Sequence, residues 1–189
     1  MSKIRCSWCG NDPLYVAYHD TEWGVPVYDD AKLFEFLILE TFQAGLSWIT
    51  ILRKRENFRK AFDKFNYKKI ATYNKDKFEE LLQDAGIIRN KLKIKATISN
   101  ASAFMEIQHE FGSFSNYIWS FTKGKPLLNK WKNLHEIPAT TELSDSISKD
   151  LKTRGFKFVG GTVIYAHMQA TGMVNDHITT CFRYREVCQ

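Results

Sequence analysis

Hydrophobic and polar positions along this chain recur with helical period, not alternation. The most apolar stretch is AKLFEFLILETFQAG, residues 31–45. Leu33, Phe34, Phe36, Leu37, Ile38, Leu39 and Phe42 leave it almost no polar side, the mark of a buried helix. Asp29 or Asp30 is placed to cap its start, and Gly45 to stop it. A second helix is predicted over 46–62, and Asn74 as the cap of a third over 75–86. Residues 90–112 form another, with an apolar stripe at Ile94, Ile98, Ala101 and Met105. Ser144 is expected to cap a helix over 145–155 that Gly155 stops, and the last long helix covers 161–172 and stops at Gly172. Residues 1–28 read as ordered loop with short helical turns, and 122–142 as a surface connection. With no repeat and no convincing alternating strand, the expected fold class is all-α.

At 189 residues the chain suits one or two small domains. A chain of this size buries roughly 70% of its unfolded surface, so a metal is not needed to rescue a missing core. The net charge of +6 fits nucleic acid or another polyanion as partner, and equally a charge that serves solubility alone. The N-terminal MSKIRCSWCG carries no apolar signal segment, and no run approaches the length of a membrane span. The expected location is the cytoplasm, where the four cysteines stay reduced, free or metal-bound. No heptad pattern appears, and a monomer is expected.

Three stretches carry candidate chemistry. In LLQDAGIIRNKLKIKA, residues 81–96, a helix is expected to end at Gly86, which turns with positive φ. Ile87 and Ile88 anchor the turn, and a basic helix begins near Arg89, Lys91, Lys93 and Lys95. The free N–H groups of that helix start suit a phosphate; a plain helical hairpin with a solvated basic face fits the same pattern. Within the apolar helix, Glu40 points inward while Glu35 reads as an exposed acid. A carboxylate in such a place needs either an internal partner or a ligand pocket. Tyr15, Tyr18, Trp23 and Trp48 are the rings that would wall a pocket for a flat cationic heterocycle. Finally, DHITTC places His177 and Cys181 four apart, on one face if helical. Cys6 and His19 complete a Cys₂His₂ set, with Cys9 as a competitor for Cys6. Such a zinc site has no open position and would tie the two ends of the chain together.

Taken together, DPLYVAYHDTEWGVP, LILETFQAGLSWITILRKRENFR, LLQDAGIIRNKLKIKATISNA, KTRGFKFVGGTVIYAHMQATGMVNDH and Cys181 resemble the 3-methyladenine DNA glycosylase I family over essentially the whole chain. The resemblance implies a helix-hairpin-helix glycosylase fold with a structural zinc knot on Cys6, His19, His177 and Cys181. It implies one unit of two helical lobes, the termini with 29–65 and 144–189 against 66–143. Glu40 would contact a flipped base and serve catalysis, with Tyr18 and Trp48 as pocket partners and Tyr15 and Trp23 nearby. Gly45 and Leu46 would fill the gap left in the duplex, and Gly86, Ile87, Ile88, Arg89, Lys91 and Lys95 would grip the backbone. The implied substrate is double-stranded DNA containing alkylated bases, and the products are free 3-methyladenine and an abasic site. No Asp occurs between Asp84 and Asp145, as this resemblance implies and as a lyase of the wider superfamily would not. A non-catalytic binder of alkylated DNA is the alternative.

Overall fold

The computed structural model describes residues 3–187. Among them the chain is mostly helical, with a minimal sheet. Helix α1 (Pro13–Thr21) is followed by α2 (Asp30–Gln43), α3 (Trp48–Ala61), α4 (Tyr67–Ile70), α5 (Lys75–Gln83) and α6 (Lys91–Phe111). Then come α7 (Phe114–Ser120), α8 (Glu142–Thr153), α9 (Gly161–Ala170) and α10 (Arg183–Glu186). Strand β1 (Leu127–Leu128) pairs in parallel with β2 (Val174–Asn175). Two residues per strand are too few to write an alternating pattern into the sequence, which is why none was legible.

Most boundaries follow from caps. Asp29 accepts from the Lys32 amide to start α2, Asn74 from Lys77 to start α5, and Asn90 from Leu92 and Lys93 to start α6. The N-terminal region holds more helix than expected, because Asp12 caps α1 and Pro13 takes its first position. For α8 the cap is Thr141, not Ser144. The Thr141 hydroxyl accepts from the Ser144 amide, and the Ser144 hydroxyl accepts from the Thr141 amide, a reciprocal capping box. Helix α7 was not expected; Ser113 caps it, and Asp30 accepts from the amides of Phe114 and Ser115.

One core runs through the described residues. Helix α2 lies at its centre and packs on α3, α6, α7 and α9. The buried seam of α6 holds Ile94, Ala101, Phe104 and Ile107, so the expected stripe is rotated: Ile98 and Met105 lie at its half-buried edge. Phe104 stacks on Phe114 at 4.2 Å between ring centres. Segment 24–27 docks on the end of α9, the Gly24 amide donating to Gln169 and that of Val27 to Thr171. At this crossing Gly172 has φ +70°, and a Cβ there would lie 2.5 Å from the backbone of Val25 and Pro26. Neither the torsion nor the space admits a side chain. Gly172→Ala is therefore expected to cost about 3 kcal/mol, from left-handed strain plus overpacking, as a shift in the urea midpoint without loss of slope.

Candidate active site and metal centre

Two acids five residues apart on α2 meet opposite fates. Glu35, expected at the surface, is buried; Arg55 Nε donates to its Oε1 at 2.8 Å and Arg59 Nη2 at 2.7 Å. Burial pushes its carboxyl up, but Arg55 and then Arg59 outweigh this and hold it below the ordinary value. The expectation failed because α3 lays its arginines across that side of α2, so the helix has no solvent face there. Glu40 has no such partner. It is 4% exposed, and among the described residues no group hydrogen-bonds or ion-pairs with its carboxyl. Burial alone pushes it up to about 8.

Glu40 opens into a cavity of about 180 Å³. The structure brings Tyr15, Tyr18, Trp23 and Trp48 to the same cavity, as the sequence reading expects. Tyr18 and Trp48 face each other with ring centres 5.4 Å apart and planes tilted by 47°. The Tyr18 hydroxyl has no partner among the described residues, and burial, then the nearby Glu40, raise it well above the ordinary phenol range. It is a neutral donor available to a ligand. The sequence reading missed Trp8, Gln43, Ile137, Ala166 and Gln169 in the wall. Gln43 was legible as the residue one helical turn beyond Glu40, and Trp8 sits between Cys6 and Cys9. Nothing local marks Ile137, which arrives from the long connection.

Beside the cavity, the α2–α3 turn carries Gly45 at φ +85° and Leu46 at its tip, 41% exposed. The α5–α6 turn differs in detail from expectation. Helix α5 ends at Gln83, three residues before Gly86, whose φ is not positive. Space is tight there instead: a Cβ would sit 2.9 Å from Asp84 Oδ1 and 3.2 Å from Asn57. Lys54 Nζ donates to the carbonyls of Ala85 and Gly86, Ile87 is buried, Ile88 is half-buried and Arg89 is exposed. At the start of α6 the Asn90 side chain already takes the amides of Leu92 and Lys93. Lys93 is not a surface charge. It is buried, and its ammonium donates to the carbonyls of Phe42 (3.0 Å) and Ala44 (2.7 Å) at the end of α2. Lys91 and Lys95 lie on the opposite side of α6, exposed, along a groove with Tyr73 and Phe78.

The second constellation lies where the ends of the chain meet. Cys6, His19, His177 and Cys181 are all buried, their ligand atoms within 4.8 Å of one another. His177 and Cys181 do not share a helix: a turn, closed by the Cys181 amide on the Ile178 carbonyl at 2.8 Å, brings them together. Cys6 Sγ lies 3.6 Å from His177 Nδ1; Cys181 Sγ lies 3.5 Å from His177 Nδ1 and 3.5 Å from His19 Nε2. A tetrahedral ion with metal–sulfur bonds of about 2.3 Å and metal–nitrogen bonds of about 2.0 Å sets its S···N edges at about 3.5 Å. The outer ring nitrogens are oriented as well, His19 Nδ1 by Asp20 Oδ1 at 2.8 Å and His177 Nε2 by the Trp23 carbonyl at 3.1 Å. The group is therefore able to hold a metal ion. Cys9 is turned away, its thiol on the Cys6 carbonyl, and is no member of the set.

Comparison with known proteins agrees with this geometry. A family model described as methyladenine glycosylase matches residues 8–184. DNA-3-methyladenine glycosylase 1 of Escherichia coli K12 is 51% identical over 180 residues, covering 95% of this chain and 96% of that one. A crystal structure of 3-methyladenine DNA glycosylase I superposes with a TM-score of 0.92 at 52% identity, covering 95% and 98% of the two chains. The Staphylococcus aureus 3-methyladenine DNA glycosylase I, from a study of 3-methyladenine recognition, gives 0.91 at 34% identity, covering 94% and 95%. The chain belongs to the methyladenine glycosylase family.

Proposed function

We propose that this chain is a DNA repair glycosylase that hydrolyses the N-glycosidic bond of 3-methyladenine in alkylated DNA. The observation that carries this reading is the buried, partnerless carboxyl of Glu40 facing a ring-lined cavity. An internal acid without a partner costs several kcal/mol, and a cationic base supplies the missing counter-charge. A base must leave the duplex to reach it, at a cost of a few kcal/mol. The exposed Leu46 beyond Gly45 has the size and position to occupy the vacated stack. The turn at Gly86, Ile87, Ile88 and Arg89, read as a helix-hairpin-helix, grips the backbone, with Lys91 and Lys95 adding charge from the flank of α6. N3-alkylation makes the purine positive and weakens its bond to the sugar, so the enzyme need not protonate the leaving group strongly. What remains is to bind the cation better as charge moves to the sugar. Trp48, with Tyr15 and Trp23, offers ring surface to the base, Tyr18, in contact with Trp48, offers its hydroxyl, and Glu40 stabilises the charge.

Cys6, His19, His177 and Cys181 would hold one structural zinc ion, since thiolate and imidazole donors in a closed set favour it. With all four positions taken by protein ligands, an ion held there would be structural, and these residues would fix the segment bearing Trp8, Tyr15, Tyr18 and Trp23 to the tail. The enzyme works as a cytoplasmic monomer, with the hairpin in the lobe of 66–143 and the pocket built mainly from the lobe of the termini, 29–65 and 144–189, to which the other lobe adds Ile137. Among the described residues no helix is long and apolar enough to cross a membrane. Incubation with methylated duplex DNA, followed by chromatography of the freed bases, tests the reading. Release of 3-methyladenine is expected; tight retention of that DNA with no release would make the protein a binder of damage instead.

A further inference from the structure

Helices α5 and α6 leave between them a groove of about 450 Å³. Its floor is apolar, built by Phe78 from α5 and Ile98 from α6, both half-buried. Lys91, Lys95, Ile98 and Ser102 follow one stripe of α6, at i, i+4, i+7 and i+11. Lys75 adds a third cation from the first turn of α5. The three lysines are exposed, and none makes an ion pair among the described residues. No carboxylate lines the groove. Its other polar groups are largely spent. The Tyr73 hydroxyl donates to Asp63 at 2.6 Å, Asn74 accepts from the Lys77 amide, and the Ser99 hydroxyl donates to the Ala96 carbonyl. The larger groove beside α2 and α3 is different, because its cations share the lining with Asp29, Glu35, Glu56 and Asp63.

We propose that this groove docks an acidic segment of a partner protein, one that carries an apolar side chain between its carboxylates. Three unneutralised cations around a lining without acids make a positive potential, which such a segment complements. The floor sets the second requirement. A duplex offers phosphates and sugars along a convex backbone, which would meet the ammonium groups and leave Phe78 and Ile98 uncovered. A peptide can lower a leucine or phenylalanine between the rims and bury both. From Lys91 to Ser102 the groove runs about 16 Å along α6, room for about five extended residues. It begins beside the turn of 86–89 and leads away from it. It shares no lining residue with the cavity that Glu40 faces, so the two can be filled together. This docking does not depend on the glycosylase reading.

The probe is a fluorescein-labelled Glu-Glu-Leu-Phe-Glu-Glu peptide, titrated against the full-length protein by fluorescence anisotropy. Saturable binding is expected, weakening as salt is raised. Exchanging Leu-Phe for Ser-Ser in the peptide is expected to cost roughly tenfold or more in affinity. Lys75→Glu and Ser102→Glu set a carboxylate on either wall at exposed positions. Each is expected to weaken the probe by about tenfold, while release of 3-methyladenine from methylated DNA stays at the parent's level and shows that the variant is folded. Absence of saturable binding overturns the proposal, as does equal affinity for the Ser-Ser peptide. Binding that survives in both variants places the peptide elsewhere on the basic surface and also overturns it. An oligothymidylate of the same charge that binds more tightly than the peptide, and loses affinity in both variants, would make the groove a nucleic-acid surface instead.

Discussion

Glu40→Gln is expected to lower kcat/KM on methylated DNA by about 100-fold or more, in the range of other lost electrostatic contacts to a transition state. The same variant is expected to be more stable than the parent in alkaline solution. In the folded protein burial pushes the Glu40 carboxyl up to about 8, whereas in the unfolded chain it titrates near 4.3. Between those values the folded state holds a proton that the unfolded chain has released. Stability therefore falls as pH rises through this window, and the loss is complete above pH 8. At 1.36 kcal/mol per unit the full effect is on the order of 5 kcal/mol, and glutamine, which does not ionise, escapes it. Urea titrations at pH 5 and pH 9 check this: a gain at pH 9 that vanishes at pH 5 is expected, and an equal shift at both would remove the ionisation argument. Activity runs the other way. Only the ionised acid complements a cationic base, and kcat/KM reports groups of the free enzyme. In the parent it should rise up to tenfold per pH unit toward pH 8 and then level, while in Glu40→Gln the rise disappears.

The second large effect is expected at the Cys₂His₂ cluster. Cys181→Ser replaces a buried thiol that lies 3.5 Å from both His19 Nε2 and His177 Nδ1, and a neutral hydroxyl is a poor ligand for a soft site. Metal content should drop well below one per chain, and Tm by at least about 10 °C, a loss of a few kcal/mol for a chain of this length. Overnight treatment of the parent with a strong chelator should reproduce the shift, and readdition of zinc should reverse it in the parent alone. Because the cluster holds the segment with Trp8 and Tyr18, affinity for DNA containing the lesion should weaken even in the protein that remains folded. Normal zinc stoichiometry in Cys181→Ser would reject the ligand assignment.

How much of this was legible beforehand depended on whether the cause was local. The apolar run around α2 and the Asp29 and Asn74 caps rest on neighbouring residues, and the structure keeps them. Glu40 and Glu35 look alike in sequence; what separates them is Arg55 and Arg59 crossing from α3, a tertiary fact. Lys93 reads as one more cation in a basic stretch, and only the end of α2 shows why it is inside. The four metal-binding candidates were found by residue chemistry although their local geometry was wrong, since a turn serves His177 and Cys181 as well as a helix would. Gly86 was marked for its torsion and proves to matter for its size. Gln169 carried no signal, because its place in the wall is set by an aspartate seven residues later, itself held by two donors from the long connection.

The Lys93 ammonium, driven into the last carbonyls of α2, rivets the first turn of α6 to the helix that bears the acid. On the glycosylase reading, this ties the turn proposed to hold the duplex backbone directly to the helix proposed to meet the base. The cavity is already formed in the absence of any ligand, and a pocket shaped in advance leaves the larger displacement to the flipped nucleotide. Were that so, the cost of capture would fall on unstacking the lesion, which is least for a damaged base.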